Sequence, residues 1–191
     1  VALASIGQTF PIYFVIIALG VGLGIGTTSL ISNSIGEKNI EKASQRFIQS
    51  IILTILISIL VTFIGINFSK QILKTIILDQ SVIEQSLNYI NIIFLGCISM
   101  FLLFNFNSCL SAQGDTKNYR NILIFSFLIN ILLNPILITG NILGYELFDG
   151  FAIKGLAYST IISQIIGAMY LGYKIKKTPI YLHIRKRFFR I

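Results

Sequence analysis

Five runs of about twenty mostly apolar residues, parted by short polar or charged gaps, dominate the chain. An α-helix of about 20 apolar residues crosses a hydrocarbon core about 30 Å thick. Lipid offers backbone groups no partner, so each run is predicted to be a helix that satisfies its own N–H and C=O groups. The expected spans are roughly Phe10–Ile31 with Pro11 near its start, Phe47–Ile66, Leu87–Ser111, Ile122–Ile138 and Ile153–Tyr173. An interfacial turn is expected near Val82, ahead of the third span. Asn67–Gln80 carries Lys70, Lys74 and Asp79 among Ile and Leu. Too polar to span, it reads as an interfacial loop or a short amphipathic helix. Only 12% of the 191 residues are charged and 54% are hydrophobic, against about 25% charged in a soluble domain. The fold class is therefore an all-α membrane protein, a polytopic bundle of about five transmembrane helices. A cytosolic enzyme, a disordered tail and a disulfide-stapled secreted domain are excluded.

The net charge is +8, and its placement decides what it means. Seven of the 15 basic residues fall between Lys174 and Arg190. Lys38, Lys42 and Arg46 lie in the first gap and Lys117 and Arg120 in the third. Lys70 and Lys74 lie in the second gap and Lys154 in the fourth, beside Glu146 and Asp149. Alternate sides of the bundle thus carry twelve and three basic residues. The positive-inside rule makes the tail cytoplasmic and starts the chain outside. Val1 stands where an initiator Met would, so a further upstream helix is expected to return the N-terminus to the cytoplasm. No secretory n-region precedes the first run. These charges face lipid headgroups rather than forming a basic reading face, so membrane lipid is the expected partner and nucleic acid is not. Cys97 and Cys109 are about 18 Å apart along one helix and cannot pair. A single histidine, His183, cannot assemble a metal site and suits a juxtamembrane position.

The first run contains Gly20-Val21-Gly22-Leu23-Gly24-Ile25-Gly26, followed by Thr27, Thr28 and Ser29. Alternate glycines form two overlapping GxxxG registers, on which a neighbouring helix can approach at backbone distance and slide. A dinucleotide fingerprint would need a preceding strand, and this glycine run lies inside a span. Gly114-Asp115-Thr116 reads as a cytoplasmic hinge. Gly114 suits the left-handed end of a helix, and Asp115 or Thr116 can cap the next. Ser34-Ile35-Gly36-Glu37 reads as a turn into an amphipathic cytoplasmic segment.

Polar residues at membrane depth need partners. They include Asn105, Asn107 and Ser108 in the third span, Asn130 and Asn134 in the fourth, and Thr160, Ser163 and Gln164 in the fifth. Asn130 and Asn134 share a helix face, and Pro135 lacks the N–H that would bond the Ile131 carbonyl. Two readings stay open: an oxygen-rich cation site, or interhelical hydrogen bonding worth about 0.6–2 kcal/mol per contact.

Three motifs in order resemble one family. Gly20–Gly26 with Ser29-Leu30-Ile31-Ser32-Asn33-Ser34-Ile35-Gly36-Glu37-Lys38-Asn39 resembles the second helix and following loop of the multidrug and toxic compound extrusion (MATE) transporters. Leu110-Ser111-Ala112-Gln113-Gly114-Asp115-Thr116-Lys117 resembles the end of their fourth helix, and Gly155–Gln164 resembles their sixth. The resemblance implies helices two to six of a twelve-helix, two-lobe antiporter. Residues 1–173 would be a partial N-terminal lobe, and 174–191 a basic cytoplasmic tail or inter-lobe linker. The first helix and the C-terminal lobe of the same protein would be further partners. It implies export of organic cations or drugs across the plasma or inner membrane by alternating access, in exchange for Na+ or H+ and without other cofactor. It also implies a cation site at Asn130, Asn134 and Thr160. Asn134 stands where the family often has Asp, and the seven acids of this chain lie at or near span ends. A coupling carboxylate would therefore come from the upstream helix. Rival readings are a lipid-linked oligosaccharide flippase of the same wider superfamily, a membrane-embedded enzyme and an inactive truncated product. The flippase would favour intramembrane basic residues, and the enzyme needs paired carboxylates or clustered His at depth; the sequence offers neither.

Overall fold

The computed structural model describes residues 2–142, 145–146 and 150–184. Five long helices are present: α1 (Ala2–Gly36), α2 (Ile40–Ile76), α3 (Gln80–Ala112), α4 (Lys117–Thr139) and α5 (Ile153–Ile175). A short helix, α6 (Pro179–Leu182), follows. Between α4 and α5 lies a minimal antiparallel ribbon, β1 (Asn141–Ile142) with β2 (Tyr145–Glu146), which the apolar pattern had not signalled. Helices α1 to α4 are each long and apolar enough to cross a membrane. Helix α5 has the same 23-residue length as α4 and carries Ser159, Thr160, Ser163 and Gln164 along it. This is a multi-pass membrane protein.

The helices overrun the apolar runs that predict them. Asn67–Ile76 is neither a loop nor a separate helix but the last turns of α2. Hydrophobicity falls there, yet the buried stripe continues through Gly65, Ser69 and Leu73, spaced one turn apart against α3. The polar side chains are satisfied in place: Ser69 Oγ donates to Asn91 Oδ1 at 3.0 Å, and Asn67 Nδ2 to the Phe63 carbonyl at 2.7 Å. The expected turn near Val82 lies earlier, at Ile77–Asp79. Asp79 opens α3 by accepting from the Ser81 N–H and hydroxyl, each at 2.8 Å.

Helix α3 is the axis of the bundle and packs against α1, α2 and α5. One apolar cluster gathers Ile16, Leu73, Ile90, Phe94, Met100 and Phe101; the other gathers Ile31, Phe47, Cys109, Leu110, Leu171 and Ile180. Helix α4 is the exception. It rests on α5 and buries only Ile122, leaving Phe125, Phe127, Leu128, Ile131 and Leu132 exposed. Both cysteines are free and buried.

Candidate functional site

The amide pair of α4 faces α5. Asn130 Nδ2 donates to the Ser163 hydroxyl and to the Ser126 carbonyl, both at 2.9 Å. One turn on, Asn134 Oδ1 accepts from the Ser159 hydroxyl. The i,i+4 spacing on α4 thus meets an i,i+4 spacing of serines on α5, forming a two-rung polar ladder. Ser159 and Ser163 are buried, whereas both asparagines are half-buried. Among the described residues, nothing bonds Asn130 Oδ1. Thr160 does not join the ladder, because its hydroxyl donates to the Leu156 carbonyl of its own helix at 2.9 Å. Helix geometry explains this: Thr160 is about 100° around the helix from Ser159. Of the three expected cation-site residues, Asn130 and Asn134 are brought together and Thr160 stands aside.

The glycine run also divides. A Cβ at Gly20 would lie 2.7 Å from the Phe104 ring, and one at Gly24 would lie 2.8 Å from Ser108 Oγ. That register is the contact with α3. Gly22 and Gly26 have no such neighbour and line an open groove of about 450 Å³ between α1 and α2.

At the cytoplasmic hinge, Gly114 takes a left-handed φ of 82°. Asp115 N donates to the Leu110 carbonyl at 3.0 Å and Gly114 N to that of Ser111 at 2.9 Å, the paired bonds of a Schellman stop. Asp115, not Thr116, supplies the next cap: its carboxylate accepts from Asn118 N and Nδ2 at 3.3 and 2.5 Å. The Tyr170 hydroxyl then donates to Asn118 Oδ1 at 2.8 Å, tying α5 to the hinge. At the other expected turn α1 continues through Gly36, and the left-handed residue is Lys38, with φ 58°. Asn39 caps α2 there through the Lys42 N–H, and Lys42 pairs with Glu37 at 2.7 Å. In the tail, α6 is held to α2 because the Ser44 hydroxyl donates to the Ile180 carbonyl at 2.5 Å. His183 is exposed there, with Nδ1 2.8 Å from the Pro179 carbonyl. Arg185–Ile191, with its Phe188 and Phe189, lies outside the described residues.

Two features escape a reading of the chain alone. Asn105 is 1% exposed, and its Nδ2, with two hydrogens to share, lies 3.3, 3.0 and 3.1 Å from the Thr27, Ser50 and Thr54 hydroxyls, joining α1, α2 and α3. Its polarity in the third span was the visible signal, but its three partners come from two other helices. Gly155 is the second. A Cβ there would lie 2.5 Å from the Leu137 carbonyl, so α5 meets the backbone of α4 directly.

The MatE family model matches residues 1–136 of this sequence. The chain belongs to the MatE family. Over 176 residues it is 34% identical to the "Probable multidrug resistance protein YoeA" of Bacillus subtilis, covering 92% of this chain and 37% of that protein. It is 26% identical over 172 residues to an "FAD transporter" of Shewanella oneidensis, covering 90% and 37%. Among solved structures, it resembles an inward-facing multidrug resistance MATE transporter of the MOP superfamily with TM-score 0.88 and 27% identity, covering all of this chain and 42% of that one. An outward-facing form matches with TM-score 0.87 and 26% identity, covering 99% and 40%. The chain therefore spans about two fifths of the length of these MatE relatives.

Proposed function

We propose that this chain forms most of one lobe of a secondary active efflux transporter, which exports organic cations or drugs in exchange for Na+ or H+. The carrying observation is the Asn130–Asn134 ladder, a polar pair on the least covered helix of an apolar bundle. Among the described residues the Asn130 amide oxygen has no partner, and Pro135 leaves the Ile131 carbonyl without its usual N–H. Neutral oxygens of this kind suit a hard monovalent cation when an acid on an adjoining helix supplies the counter-charge. Cation binding then shifts the balance between two arrangements of the lobes. That this one chain resembles an inward-facing and an outward-facing relative equally well supports a lobe that moves as a rigid body.

The test is transport by the full-length protein in proteoliposomes. An imposed Na+ or H+ gradient should drive extrusion of a fluorescent organic cation, and the ion that drives it is the coupling ion. Flavin nucleotide belongs in the same assay because one relative carries the name FAD transporter. Equal flux with and without either gradient would exclude ion-coupled export.

A further inference from the structure

A roomy cavity of the bundle lies away from the α4–α5 ladder. It is a groove of about 860 Å³ walled by α2, α3 and α5 and closed at one end by the segment around α6. Among the described residues, helices α1 and α4 contribute nothing to it. Helix α3 turns Ile98, Leu102 and Phe106 into the groove, while Phe104 and Ser108 meet α1 from the opposed face. We propose that this groove binds one anionic phospholipid of the cytoplasmic leaflet, with acyl chain along α3 and α5 and phosphate at Lys176.

Length, composition and charge each point to that occupant. From Ile165 to Lys176 the wall formed by α5 runs roughly 17 Å, about half of a hydrocarbon core and so the depth of one leaflet. Apart from Ser99, its described lining is apolar or aromatic over that depth and becomes cationic only at the end. There Lys176 lines the groove, and Lys174 and Lys177 flank it over the Tyr170 and Tyr173 rings, at 5.3 and 4.6 Å from the ring centres. Among the described residues, no acidic residue lines the groove. The sequence continues with Arg185, Lys186, Arg187 and Arg190, and the loop charges put this end in the cytoplasm, where anionic lipids gather. The Ser44–Ile180 bond seats α6 against α2 and so shapes the closed end.

The experiment is native mass spectrometry of the full-length protein in detergent, titrated with phosphatidylglycerol and phosphatidylcholine of identical acyl chains. The parent should retain phosphatidylglycerol preferentially. Lys176→Gln, at an exposed position, should lower that preference about fivefold, the effect of one lysine near a charged headgroup. Lys70→Gln, on the opposite side by the loop charges, should leave it unchanged. Gly172→Leu should lower retention of both lipids, since its new side chain starts 3.3 Å from the Phe106 ring inside the groove. Equal retention of the two lipids by the parent, or an unaltered preference in Lys176→Gln, would overturn the proposal. So would full retention in Gly172→Leu, which would mean that another protein segment covers the groove.

Discussion

At the scale of single residues, the α4–α5 ladder can be separated into its two rungs. Asn130→Ala removes the Ser163 rung, and an interhelical hydrogen bond in a membrane is worth about 0.6–2 kcal/mol. Under the proposed cation role, ion-coupled efflux should fall roughly three- to thirtyfold at every pH. Asn134→Asp places a carboxylate beside the Ser159 hydroxyl. Close to the coupling acid expected from the upstream helix, it should raise one of the two pKa values and carry proton occupancy to higher pH. The pH profile of efflux in reconstituted vesicles should therefore move, and identical profiles for both variants and the parent would reduce the pair to packing. Asp79 allows a second pH argument outside the spans. Its two bonds from Ser81 hold its pKa below the usual 3.8. A depressed carboxylate contributes stability above its unfolded pKa and loses it as pH falls through the lower folded value. Protection of the amides at the start of α3, measured against their intrinsic exchange rates, should fall below about pH 3.8. Asp79→Asn, which keeps an acceptor but cannot titrate, should lack that step.

Among elements, the informative contrast is between the two glycine registers of α1. Gly24→Leu drives a side chain into Ser108 and the Phe104 backbone, where α3 cannot yield without moving. Overpacking of this kind costs about 1–3 kcal/mol. Gly26→Leu points into the open groove between α1 and α2, where nothing lies within 4 Å. In the full-length protein Gly24→Leu should lower folded yield and efflux while Gly26→Leu retains its folded yield, both read by size-exclusion recovery and transport. Equal recovery of the two would mean that the α1–α3 contact is not a backbone approach. The seven-residue motif shows both registers alike, because alternate glycines are identical until a neighbour chooses one side. The hinge at Gly114 was more legible, since a left-handed helix stop is a local event that a Gly-Asp sequence supports unaided. Gly36 misled for the complementary reason: Lys38 takes the left-handed position, with Asn39 capping beyond it.

For the whole molecule, the loop charges imply a topology that fusions can read. A cytoplasmically active reporter placed after Ile191 should give signal, and one within Asn141–Gly150 should not; activity at both sites would sink the five-span arrangement. The five long helices, their order and the membrane setting follow from the chain alone, because a 20-residue apolar run in lipid has essentially one way to satisfy its backbone. The positions of Asn130 and Asn134 on one face follow equally from helical pitch. What the bundle decided was the partner of each face. Ser159 and Ser163 rather than Thr160 meet the amide pair, Asn105 gathers hydroxyls from α1 and α2, and α2 runs past its apolar stretch because Ser69 and Leu73 still have α3 to bury against. Burial against a neighbour depends on interaxial rotation and distance, and these are set by all the contacts between helices together rather than by either helix's own period.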